Sequence, residues 1–411
     1  MSVITGIFNL LALLYIGRAV LLAIQIARNW NALRQEPLTG AKQRLAEQAA
    51  FFLGVPPAVL VHELAHAVAV VAFGGQVVEF GYRVFWGYVV PQGSFTAAQN
   101  WFIAIAGTLG SLAFGAAIWL TLRQNPSRTG RYFGLRAFRF QIYFSLLYYP
   151  LFSIFLPIGD WRTIYDFAAT PLLSGLTAAA HILVLVLFYR ADRAGAFEMP
   201  AFESLAAQTR HEAVLAAAER GDPAAQLEAI NALRAGGAVY GARRLLADFI
   251  KKYPNSAEGQ LQLALQANAA NRHIGKESAE AATQALALGL TEPEHVALAH
   301  QIVAYYHLER GDGAAAESAM NAALTPTPAY DPQTLPPPRL AELHSLRGQA
   351  MRRQGRYEAA YAETAVARQM AAELRLEPLI GKYDAELQLI EKHAGRSLAP
   401  AEVVPLPLSE S

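Results

Sequence analysis

The 411-residue sequence contains no cysteine, which excludes disulfides and removes thiolates from any metal site, while leaving the compartment open. Acidic residues are scarce in its first 190 positions: Glu36, Glu47, Glu63, Glu79, Asp160 and Asp166 stand there against 13 Lys and Arg. The remaining residues carry 27 acidic and 21 basic side chains, so the formal net charge of +1 conceals an apolar, basic first part and a charged, slightly acidic second part. A nucleic-acid partner is not needed to explain the basic excess, because Lys and Arg collect on the loops of membrane proteins. Charged residues are also few overall, at 16% against 54% hydrophobic, an apolar balance for a soluble protein. The N-terminus lacks a basic opening and a small-residue cleavage site, and reads as a retained membrane helix and not a signal peptide.

Five apolar segments approach the length of about 20 residues that a bilayer requires: about 3–27, interrupted by Arg18; 48–73; 98–122; 138–157; and 171–189, which contains His181. Between the second and third, Gln76 to Pro91 is rich in β-branched and aromatic residues and punctuated by Gly81 and Gly87, a pattern that predicts a short hairpin. The second segment carries His62-Glu63-Leu64-Ala65-His66. On a helix, positions i and i+4 share a face, so both imidazoles can bind one zinc ion, and the glutamate between them can act as general base. Three ionisable groups facing lipid would each cost a few kcal/mol, so such groups default to a buried functional site.

A catalytic zinc takes three protein ligands and keeps one position open. The second and fourth segments run in the same direction, so their ends meet one membrane face. Asp160, at the end of the fourth, is therefore the expected third ligand, with Asp166 in reserve. His181, alone in its helix, is expected to be a packing histidine. Arg18 is expected to snorkel or pair internally. The hairpin either covers the site or offers an edge strand to an unwound substrate.

An H-E-x-x-H within an apolar helix, a hairpin after it and Pro157-Ile158-Gly159-Asp160 at the end of a later helix resemble the site-2 protease family of intramembrane zinc metalloproteases. Phe73-Gly74-Gly75 fits the same pattern, and Ala106-Gly107-Thr108-Leu109-Gly110-Ser111 is most similar to a bacterial branch. The resemblance covers roughly residues 50–165. It implies zinc held by His62, His66 and Asp160, Glu63 as base, and a bacterial plasma membrane. Trp161 stands where the family commonly has glycine. Thr108 and Ser111 replace its usual proline and asparagine, the latter a residue that helps hold substrate or the oxyanion.

Beyond Arg190 the composition turns to Ala, Glu, Gln and Arg with helical periodicity. A helix is expected at 202–220, then helix pairs at 224–235 and 238–252, 257–270 and 275–288, 293–309 and 313–324, and 338–353 and 356–374. Gly237 and Ala242, Gly311 and Ala316, and Gly355 and Ala360 repeat one five-residue spacing. These units resemble tetratricopeptide repeats with a period near 34–37 residues, which stack into a solenoid because one unit alone cannot bury its face. The tail from Ser397 is expected to be disordered.

The expected architecture is therefore an all-α, polytopic helical membrane domain with a small β-hairpin, followed by an α-helical repeat solenoid. Residues 1–190 would form the transmembrane metalloprotease domain, 191–222 a linker and helix, 223–375 the repeats, and 376–411 a terminal helix and tail. The expected function is hydrolysis of peptide bonds in or near the transmembrane segments of membrane-protein substrates, in contact with the lipid bilayer, with the repeats recruiting substrate or a protein partner. The alternative is a non-catalytic membrane scaffold whose repeats bind a partner. Loops 28–47 and 123–139 carry nine Lys and Arg, which puts them and the repeats in the cytoplasm by the positive-inside rule; the family resemblance implies the reverse orientation.

Overall fold

In the computed structural model, residues 3–84, 86–155, 159–269 and 273–398 are described. They fall into two compact units, one comprising residues 1–216 and 232–241, the other 217–231 and 242–411.

The first unit begins with α1 (Val3–Arg28), α2 (Trp30–Arg34), α3 (Gly40–Phe52) and α4 (Val55–Ala72). Thr39 caps α3 by accepting a hydrogen bond from the Lys42 N–H. The break between α3 and α4 follows from Gly54-Val55-Pro56-Pro57: proline has no N–H to extend one helix but is well suited to start the next. Two strands follow, β1 (Gln76–Tyr82) and β2 (Gly87–Gln92), paired antiparallel from Gln76 opposite Gln92 to Tyr82 opposite Gly87, with a bulge between Val77 and Glu79. This is the expected hairpin. Next comes α5 (Ala97–Leu122), opened by a capping box in which Thr96 and Gln99 satisfy each other's backbone N–H groups. The chain continues through α6 (Arg128–Tyr143), a π-turn (Phe144–Tyr148), α7 (Tyr149–Phe155), the short α8 (Trp161–Ile164), α9 (Pro171–Arg193) and α10 (Leu205–Glu219).

Among the described residues, four stretches are long and apolar enough to cross a membrane: Leu10–Arg28, Gly40–Ala72, Ala97–Leu122 and Pro171–Arg193. Leu172, Leu176, Ile182 and Leu183 of α9 are all exposed, an apolar outer face of the kind that lipid covers. The expected segment 138–157 is built differently. Its described part is helical to Phe155 but passes through the π-turn, while Leu156, Pro157 and Ile158 lie outside the described residues. Arg18 pairs internally, donating to the Gln48 carboxamide on α3. Ala104, Ile142, Leu146, Trp161, Ile164 and Phe188 form a buried cluster that seats α8 against α5, the π-turn and α9. At the other end of these helices Leu38, Ala46 and Tyr132 pack with Met199, and the Phe202 N–H donates to the Leu38 carbonyl at 2.8 Å.

The helices that follow are α11 (Pro223–Ala235), α12 (Val239–Lys252), α13 (Ala257–Ala269), α14 (Lys276–Ala287), α15 (Pro293–Glu309), α16 (Gly313–Leu324), α17 (Pro337–Arg353), α18 (Tyr357–Glu373) and α19 (Glu377–Ala394). From α13 onward each helix packs against the next. The recurring Gly and Ala positions acquire a physical reason. Gly311 and Gly355 take positive φ values of 78° and 76° at helix ends, where a side chain is strained. Ala242, Ala316 and Ala360 are fully buried. A Cβ at Gly348 would stand 2.9 Å from the Ala360 carbonyl oxygen, so α17 and α18 touch where only small residues fit. The spacing is less regular than expected: α13, α15 and α17 begin at residues 257, 293 and 337, because Thr325–Pro336 insert a β-bridge and a 3-10 turn. Ser397 and Leu398 fold back onto Glu391; the rest of the expected disordered tail lies outside the described residues.

Candidate metal centre

His62, Glu63 and His66 lie on consecutive turns of α4, which packs against both α5 and the hairpin. The α5 face toward them carries Ile103, Gly107 and Ser111, spaced by four residues and hence aligned. Close approach depends on glycine: a Cβ at Gly110 would stand 2.8 Å from Ala65 Cβ. At Gly107 a Cβ would lie 2.2 Å from His66 Nε2 and 2.6 Å from His62 Nε2. The space that both imidazole tips occupy exists only because residue 107 has no side chain.

Asp160 arrives at the N-terminus of α8, and the three groups meet. Asp160 Oδ2 is 3.0 Å from His62 Nε2 and 3.1 Å from His66 Nε2, and the two Nε2 atoms are 3.0 Å apart. Among the described residues this is the group of His, Asp and Glu side chains able to hold a metal ion. Asp166, the reserve ligand, is elsewhere: its Oδ1 accepts the N–H groups of Ala168 and Ala169, closing the turn after α8. His181 is satisfied as a packing residue. Its Nε2–H donates to the Leu146 carbonyl at 2.5 Å, and its Nδ1 is hydrogen-bonded to the Tyr165 hydroxyl.

The donor set fits a zinc ion on chemical grounds. His66 Nδ1 is 2.6 Å from the Ile103 carbonyl, which can only accept, so the proton of a neutral ring sits on Nδ1 and Nε2 presents a lone pair. His62 Nδ1 is 3.2 Å from Ser111 Oγ, a partner able to accept the same way. Two imidazole lone pairs and a carboxylate oxygen within 3.1 Å of one another repel unless cations lie among them. Zinc bonds of about 2.0–2.1 Å in a tetrahedral site separate the ligand atoms by about 3.3 Å, so the triangle needs to open only a few tenths of an ångström. The triangle is also nearly equilateral, as three ligands of one tetrahedral ion require.

Glu63 is buried, at 6% exposure like His66, but is turned toward the hairpin. A Cβ at Gly87 of β2 would stand 2.5 Å from Glu63 Cγ and 2.8 Å from Oε1. Two contacts were not foreseen from sequence. Ser111, read as a replacement for the resembled family's asparagine, touches His62. Tyr149 donates its hydroxyl to Asp160 Oδ2 at 2.8 Å. Tyr149 belongs to no motif, and the Ala106–Ser111 stretch does not say what its serine touches, because each contact depends on the phase of one helix against another.

Comparison with protein-family models, curated proteins and solved structures found no match.

Proposed function

We propose that the chain is a multi-pass zinc metalloprotease of the membrane that hydrolyses peptide bonds in or near the transmembrane segments of other proteins. The observation that carries this reading is the convergence of His62 Nε2, His66 Nε2 and Asp160 Oδ2 within 3.1 Å, with a fourth ionisable group, Glu63, buried beside them. Zinc in such a site supplies Lewis acidity: it polarises a carbonyl and acidifies water. The chain's own residues do the rest. His62 and His66 are oriented by Ser111 and the Ile103 carbonyl, and Asp160 completes the set. Glu63 takes the proton of the attacking water and returns it to the leaving amine. The apolar helices exclude bulk water, and the helix pairs after residue 222, read as a repeat solenoid, recruit the substrate or a partner.

The first test is zinc per chain in detergent-purified protein. Near one zinc is expected in the wild type, lost in His62→Ala/His66→Ala and weakened in Asp160→Ala. A chain that binds zinc in wild type and loses function in Glu63→Gln is an enzyme, and that variant then serves to trap substrates. A wild type without zinc, under conditions that preserve a control metalloprotein, would favour the non-catalytic scaffold.

A further inference from the structure

We infer that Tyr149 is a positioning residue for the metal centre: its phenol holds Asp160 in the orientation in which Oδ2 can act as third ligand. This rests on the metalloprotease reading above. Asp160 is the ligand with the weakest local support. It comes from a different part of the chain than the two histidines, and it sits at the start of a helix of only four residues. Gly159 before it has φ +107°, and a Cβ there would meet Ser153 Oγ at 2.4 Å and the Tyr149 ring at 3.4 Å. Gly159 therefore lies against α7 in a turn that tolerates no side chain.

Tyr149 closes that turn from both sides. Its O–H donates to Asp160 Oδ2 at 2.8 Å, and its oxygen accepts the Asp160 backbone N–H at 3.2 Å. One hydroxyl thus fixes both the backbone and the carboxylate of the same residue. A carboxylate oxygen has lone pairs for a metal and a hydrogen bond together, so the contact survives metal binding. The ring also meets His62 edge-on, with centroids 5.6 Å apart at 74°.

The direction of Tyr149 is set by the element before it. Phe144–Tyr148 form a π-turn, which inserts one residue into the helical spiral and rotates everything after it; such turns are enriched at functional sites. Loss of an outer hydrogen bond to a ligand typically weakens metal affinity about 10–100-fold.

The test uses the full chain in detergent, with zinc affinity measured by chelator competition and the visible absorption of the Co²⁺-substituted protein as a second readout. Tyr149→Phe keeps the ring and removes the hydroxyl. It is expected to bind zinc about 10–100-fold more weakly and to alter the Co²⁺ bands, while the metal-free protein still unfolds in one cooperative transition, a few degrees below the wild type because the Asp160 N–H and carboxylate lose a partner. Tyr143→Phe is the control: that hydroxyl donates to Asp192 at 2.7 Å, away from the site, and its loss should leave metal affinity and spectrum unchanged. Tyr149→Phe with wild-type affinity and spectrum, while Asp160→Ala is weakened, overturns the role of Tyr149 alone. Asp160→Ala with wild-type affinity overturns the three-ligand site and this inference with it.

Discussion

At the scale of single residues, two glycines separate the metal-holding function proposed for the site from the proton transfer proposed for Glu63. Gly107 faces the imidazole tips and Gly87 faces the Glu63 carboxylate, so one added methyl group at each position tests a different part. Gly107→Ala places a carbon 2.2 Å from His66 Nε2. One histidine or the whole of α5 must move, at an overpacking cost of about 1–3 kcal/mol, and zinc content at limiting free metal is expected to fall sharply. Gly87→Ala presses on Glu63 without touching a ligand. It should retain its zinc and lose turnover of a substrate captured on Glu63→Gln. Equal zinc loss in both variants would mean that the hairpin and the ligands form a single mechanical unit, and the division of labour proposed for Glu63 would fail.

At the scale of elements, what was legible in the sequence is what local pattern determines. The helices from Ala257 to Glu373 follow their expected bounds closely, and four of them end two residues before a breaker, Gly289, Gly311, Pro326 or Gly355. The hairpin was legible because the stretch from Gln76 to Pro91 is rich in β-branched and aromatic residues and punctuated by Gly81 and Gly87. The pair His62 and His66 was legible because helical spacing alone puts them on one face. The π-turn was not, since Phe144-Ser145-Leu146-Leu147-Tyr148 reads as ordinary helix and its widening depends on tertiary contacts. His181 supplies one: it donates to the Leu146 carbonyl inside the turn and joins the Tyr165 hydroxyl following α8. His181→Ala leaves both groups without that partner in a buried cluster, a loss of about 1–3 kcal/mol. The unfolding midpoint in detergent should fall by several degrees. Because the π-turn aims Tyr149, zinc affinity should fall as well, by less than in Tyr149→Phe. A lower midpoint with unchanged affinity would show that the turn keeps its shape without the histidine.

At the scale of the whole molecule, the charge pattern predicts which face of a membrane the proposed metal centre addresses, and the absence of cysteine makes the prediction measurable. Loops 28–47 and 123–139 carry nine Lys and Arg, and the fold draws these loops together at one end with Met199 and Phe202, residues that follow α9. Several of these cations are paired in the folded state, Arg136 with Glu47 at 2.9 Å and Arg139 with Asp192 at 2.6 Å. That pairing does not weaken the orientation argument, because topology follows the count of Lys and Arg near the apolar segments and acidic residues contribute little. The basic end should therefore be cytoplasmic, with the hairpin and Asp160 toward the opposite face. Ser94→Cys, an almost isosteric change at an exposed position after β2, and Gln124→Cys, in the exposed turn between α5 and α6, each create the chain's single thiol. In intact cells a membrane-impermeant maleimide should label Ser94→Cys at once and Gln124→Cys only after permeabilisation. The reverse pattern would place the metal centre toward the cytosol, the orientation that the site-2 protease resemblance implies. The Lys and Arg distribution would then have been overridden by the packing of the helices against one another, and the search for substrates would move to proteins whose cleavable segment enters from the cytosolic side.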